Sequence, residues 1–167
     1  YCREGGVVFV ILLLQTSTPM LVCKHTHSIQ QTRQIGHATD HSKILGPHFS
    51  RFEEEQTPVP RLIGSANGII LELGPGSGNQ IPRFNTGSVA RIYGIEPNAN
   101  FIPSLSAKAK DHGLDERYTV INAALENQDV LTAHGIVEGS VDTAVCMQVL
   151  CSVPDARTAA KRIWKVL

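Results

Sequence analysis

Two acidic side chains frame a glycine-rich turn near the middle of this chain. Glu72 lies two residues before Gly74, in the run Ile70-Leu71-Glu72-Leu73-Gly74-Pro75-Gly76-Ser77-Gly78-Asn79. Glu96 ends a second apolar run, Ala90 to Ile95. An apolar strand, a glycine turn and an acid about twenty residues further on is the arrangement with which a doubly wound sheet binds a nucleoside. Glycines let the backbone approach a ligand closely, and the acid accepts hydrogen bonds from the ribose hydroxyls.

The spacing narrows the ligand. A dinucleotide site wants G-x-G-x-x-G, which seats a pyrophosphate on a helix N-terminus. The pattern here is Gly74-x-Gly76-x-Gly78, and Asn79 stands where the last glycine should be. A P-loop would need a Gly-Lys-Ser/Thr ending, and no Lys is nearby. Glu72 would repel an anion there and favour a cationic ligand. A nicotinamide dehydrogenase is therefore disfavoured. The E-x-G-x-G-x-G run resembles motif I of the class I S-adenosylmethionine-dependent methyltransferases. Their cofactor carries an ammonium and a sulfonium and no phosphate, which suits the acid.

These residues need a scaffold, and α/β alternation supplies it from Ile69 onward. Apolar runs predict strands at 69–73, 91–96, 118–122 and 141–147. Pro58 and Pro60 introduce a short helix over about 59–66 that ends at Gly68. Asn79 is expected to open a short helix with Pro82 in its first turn, where proline is tolerated. Asn98 or Asn100 caps the next helix, which buries Phe101, Ile102, Leu105 and Ala109 and stops at Gly113. A helical stretch is expected near 127–133. The last helix starts near Asp155 with Ala156, Ala159, Ala160, Ile163, Trp164 and Leu167 as its apolar stripe. Repeated βα units imply a parallel, right-handed sheet with helices on both faces.

The resemblance covers about Gly68 to Leu167 and looks like the first four βα units of a type-11 methyltransferase domain. The segment Glu138-Gly-Ser-Val-Asp-Thr-Ala-Val-Cys-Met-Gln-Val-Leu-Cys-Ser-Val153 resembles the motif IV region of the small membrane-anchored thiol methyltransferase family and its fungal relatives. It implies an α/β, doubly wound, mostly parallel, Rossmann-like methyltransferase fold, incomplete at its C-terminal end. By the same resemblance Glu72, Gly74, Gly76 and Gly78, followed by Asn79, form the loop under the methionine end of S-adenosylmethionine. Glu96 is the ribose acid and Pro97 lies against adenine. Leu125 gives an apolar contact to adenine, and Glu126 or Asn127 a polar one. Cys146, Met147 and Gln148 line the methyl-transfer end. The implied reaction moves a methyl group to a small acceptor, a thiol in the relatives. A thiolate acceptor needs no general base; Asp142 begins a strand and Asp155 caps a helix, so no catalytic residue is assigned. The alternative is a module that binds S-adenosylmethionine or a partner without turnover.

Composition bounds the rest. The chain has 167 residues, 42% hydrophobic and 18% charged, with zero formal net charge. This fits one globular domain and offers no basic stripe for nucleic acid. Cys2, Cys23, Cys146 and Cys151 have no C-x-x-C spacing, so neither zinc nor a disulfide framework is implied. The chain reads as residues 1–57, an apolar segment and irregular connector, and 58–167, the methyltransferase domain. Residues 5–23 carry no charge, and Gln15-Thr-Ser-Thr-Pro19 interrupts them. A membrane anchor, a signal segment and a gene-model artefact are weighed equally. The expected location is the cytoplasm or the cytoplasmic face of an internal membrane. The first residue is Tyr1 and no Pro-Gly-Gly turn follows the last helix, so the chain reads as a fragment whose fourth strand is an exposed edge. His25, His27, His37, His41 and His48 read as a histidine-rich connector, because no acid or thiol completes a metal site.

Overall fold

The computed structural model describes residues 7–15, 18–27, 51, 53–150 and 152–167. Among the described residues six strands form one sheet. They are β1 (Val7–Gln15), β2 (Thr18–His27), β3 (Gly68–Leu73), β4 (Val89–Ile95), β5 (Tyr118–Ile121) and β6 (Thr143–Met147). The helices are α1 (Val59–Gly64), α2 (Ile102–Asp111), α3 (Gln128–Ala133) and α4 (Ala156–Val166). The strand order is β2-β1-β6-β3-β4-β5. The last four are mutually parallel, with Leu71 opposite both Tyr93 and Ala144. The chain winds outward from β3 through β4 to β5, then returns to place β6 on the other side of β3. The crevice at the carboxyl ends of β3 and β6 is therefore the switch point at which such sheets bind ligands.

Strand alternation sorts the core into two faces. Ile70, Ile92 and Val145 pack with Ile63 of α1 and Leu105 of α2. Leu71, Ala144 and Cys146 pack with Leu131 of α3 and with Ala159 and Ile163 of α4. Ile70, Ile92, Leu105 and Ile163 are fully buried, and each such side chain stabilises the fold by about 1.5–3 kcal/mol. The caps follow the expected chemistry. The Asp155 carboxylate accepts from the Arg157 N–H at 3.0 Å at the start of α4, and Gly113, with φ +68°, ends α2.

Four expectations change. β6 is not an edge: β1 pairs with it antiparallel, Ile11 opposite Met147 and Gln15 opposite Thr143. Most of the uncharged 5–23 stretch, read as an apolar segment ahead of the domain, is strand in the same sheet, and no described helix is long and apolar enough to cross a membrane. An apolar run of nine residues fits a buried strand as well as it fits half a span. The helix expected after the glycine turn is only a 3-10 turn, Ile81–Arg83. Trp164 lies off the buried stripe at 68% exposure, because α4 touches the sheet through the narrow Ala159–Ile163 row. The connector histidines His37, His41 and His48 lie outside the described residues.

Candidate functional site

Glu72 shares its face of β3 with Ile70, so the strand turns it into an apolar cluster, and it is 1% exposed. Tyr118 of β5 donates its hydroxyl to Glu72 Oε2 at 2.6 Å. The Tyr118 ring must cross β4 to get there. Gly94 stands opposite Glu72 in the register, and a Cβ on it would come within 2.7 Å of the ring. The missing side chain is thus what lets the hydroxyl reach the acid. Glu72 Oε1 is buried with no hydrogen-bond partner among the described residues. Burial pushes the Glu72 carboxyl up from 4.5 to about 7, against the opposing hydrogen bond from Tyr118. Burial and the neighbouring Glu72 push the Tyr118 hydroxyl well above its ordinary range.

The loop that follows β3 is held from within. Gly74, Gly76 and Gly78 have φ of +60°, +55° and +76°, values that favour glycine. The Gly74 N–H donates to the Ile95 carbonyl, the Gly76 N–H to Glu96 Oε2 and the Gly78 N–H to the Pro75 carbonyl, each at 2.9 Å. All three N–H groups are spent inside the protein, so they offer no cradle to a phosphate. A Cβ on Gly74 would strike Val149, whereas one on Gly76 would meet nothing within 4 Å. Glu96, 5% exposed, also accepts from the Asn98 N–H through Oε1 at 2.8 Å. The Asn122 side chain ties down this turn by donating to the carbonyls of Glu96 and Pro97.

Two cavities meet at Leu73, Gly74, Met147 and Gln148, at the switch point. The first, of about 260 Å³, is walled by Glu72, Gly76, Asn79, Phe101 and Glu53. The second, of about 390 Å³, is walled by Glu96, Pro97, Leu125, Glu126 and Val149. No Lys, Arg or His stands on either wall among the described residues. Gln148 joins the cavities with φ +55°, a conformation that costs a non-glycine residue of order 1 kcal/mol or more.

Of the residues singled out from sequence, Glu72, Gly74, Gly76, Asn79 and Met147 reach the first cavity. Glu96, Pro97, Leu125 and Glu126 reach the second, which also touches Gly74 and Met147. Three do not reach either. Gly78 packs toward Ile81 and Leu105 and shapes the turn. Asn127 is exposed and turns back on its own loop, its Oδ1 accepting from the Ala124 N–H at 2.8 Å. Cys146 alternates away from Met147 into the opposite core at 1% exposure, and burial, then Glu72, push its thiol up to about 12. It is a packing residue here. Glu53 and Gln80 are cavity residues that the sequence reading passes over. Glu53 falls in the stretch read as connector, yet residues 53–56 are helical and Glu53 is 2% exposed. A run of three glutamates looks like a solvated face, and only the fold turns one of them inward.

This acid-walled, phosphate-refusing crevice fits a cationic nucleoside ligand, with the orphaned Glu72 oxygen as the group that asks for one. Comparison with known proteins agrees. The chain is 34% identical to the human thiol S-methyltransferase TMT1A over 121 residues, 71% of this chain and 43% of that protein. It therefore spans less than half the length of this relative. Its fold is similar to a putative S-adenosyl-L-methionine-dependent methyltransferase of Methanococcus maripaludis, at 14% identity and a TM-score of 0.57 over 81% of this chain and 63% of that one. It is similar also to the YcgJ protein of Bacillus subtilis, at 19% identity and a TM-score of 0.54 over 72% and 46%. Residues 71–167 match a family model described as a methyltransferase domain. That match takes in more than half of the residues, and the chain belongs to the class I methyltransferase family, whose members use S-adenosylmethionine.

Proposed function

We propose that the two cavities are one S-adenosylmethionine trough and that the domain transfers the cofactor's methyl group to a small thiol. The carrying observation is the pair of buried acids, Glu72 and Glu96, on either side of a loop whose three glycine N–H groups are already used. Glu96 would receive the ribose hydroxyls, and Pro97 and Leu125 would flank adenine. Glu72 would face the methionine end. When bound, the cofactor supplies an activated methyl group on a sulfonium. The chain supplies orientation and water exclusion, with Met147 and Gln148 shaping the methyl-transfer end. Asp142 accepts from the Ile69 N–H at 2.7 Å and Asp155 caps α4, so neither serves as a base. A thiolate acceptor requires none. The thiol class is supported by the similarity to the human thiol S-methyltransferase.

Titration calorimetry tests the reading. S-adenosylmethionine is expected to bind and NAD is not. Tighter binding of NAD would overturn the assignment. Methyl transfer to a small thiol then separates the enzyme from a module that binds without turnover.

A further inference from the structure

We propose that Glu53 is a cofactor-binding residue, the second carboxylate of a paired-acid site for the ammonium of the methionine tail. The inference rests on the S-adenosylmethionine reading above and extends it to a residue outside the glycine motif. Glu53 stands with Glu72 on the wall of the first cavity. Its two oxygens have different surroundings. Oε2 is saturated: it accepts from Arg83 Nη1 at 2.6 Å and from Gln80 Nε2 at 3.2 Å. Among the described residues Oε1 has only a long contact, 3.4 Å, from the side-chain amide of Gln148, itself a wall residue.

Arg83 holds this geometry from behind. Its side chain is 6% exposed, it is not on the cavity wall, and it also grips Glu54 at 2.9 Å and Gln80 Oε1 at 2.7 Å. The guanidinium thus fixes the back of the Glu53 carboxylate and leaves the front to the cavity. The second, independent observation is Glu72 Oε1, fully buried on the same wall and without a partner among the described residues. The weakly used oxygen and the unused oxygen belong to two acids on the wall of one cavity, with no basic residue on that wall among the described residues. Arg83 neutralises one of the two acids. The other is balanced by a ligand that brings its own cation, and an ammonium has three donors for the two oxygens. A purely structural Glu53–Arg83 pair, anchoring residues 53–56 to the domain, would make no demand on the ligand.

The test compares ligands with and without the tail on the 167-residue chain. S-adenosylmethionine and S-adenosylhomocysteine carry the ammonium; 5′-methylthioadenosine has the same nucleoside and no amino-acid tail. Glu53→Gln is expected to weaken both tailed ligands roughly tenfold to a hundredfold, the worth of hydrogen bonds to a charged group. The affinity for 5′-methylthioadenosine should stay unchanged. Since Glu53→Gln takes one of its two carboxylate partners from the buried Arg83 guanidinium, the double variant Glu53→Gln/Arg83→Met is measured beside it and should show the same tail-selective loss. Equal losses for all three ligands, or no loss, would make Glu53 structural and overturn the inference while leaving the cofactor reading intact. Wild-type protein that binds none of the three would overturn both.

Discussion

Glu72 makes the folded chain bear a cost that a ligand can relieve. Its carboxyl titrates near 4.5 when unfolded and near 7 in the fold. The folded state therefore binds more protons between these values, and stability from this group is full below pH 4.5 and falls as pH rises toward 7. At pH 8 the ionised acid costs roughly 3 kcal/mol. Glu72→Gln should therefore raise the melting temperature at pH 8 and leave it nearly unchanged at pH 4, while weakening S-adenosylmethionine. A melting temperature that rises equally at both pH values would deny the buried charge. The same titration should make affinity for the cationic cofactor grow between pH 6 and 8, read by calorimetry. Among the described residues, Tyr118 and Cys146 interact with Glu72 and Glu53 shares its cavity wall, and none of them is a cation. Glu96→Ala removes the acceptor of two backbone N–H groups as well as the proposed ribose contact. It should weaken the cofactor by about 1.5–3 kcal/mol. An unchanged dissociation constant would take Glu96 out of the site. Glu72, Glu96 and the glycines were legible in the sequence because their types and spacing are local. Glu53 and Gln80 were not, since what turns them inward is Arg83, thirty residues from Glu53.

At the scale of elements, the glycine loop carries the sharpest expectation. Gly76→Val places a branched side chain at φ +55°, on the wall of the first cavity. The backbone strain costs about 1–2 kcal/mol, and the side chain fills space the ligand needs. Binding should fall beyond detection while the protein stays folded by circular dichroism. Wild-type affinity in this variant would mean the loop does not face the ligand. The parallel strands and the helices beside them could be read within a few residues, since each has its own apolar period and its own cap or glycine stop. The hairpin could not. An uncharged apolar segment has the same composition whether it lies in a lipid bilayer or in the middle of a sheet. Of the interrupting polar residues that argued against a span, Gln15 and Thr18 stand opposite each other in the hairpin register.

For the whole molecule, the hairpin decides whether β6 is an edge among the described strands. β1 gives β6 the backbone partners that a bare edge would lack. Deleting residues 1–27 should expose β6 and drive self-association, visible as an increased mass by light scattering. A monomeric, cooperatively melting variant would show that β6 needs no cover. The pairing also sets an order in time. Ile11 meets Met147 and Leu13 meets Val145, so the first described strand closes on the last described one. On a ribosome adding about 5–20 residues per second, β1 waits on the order of ten seconds for its partner. Contacts this distant in sequence are slow to form even in a finished chain. During that interval Val7–Gln15 is an apolar strand with one side unpaired, the kind of segment that chaperones bind and that aggregates seed from. The hairpin that covers β6 is thus also a part of the newborn chain in need of protection.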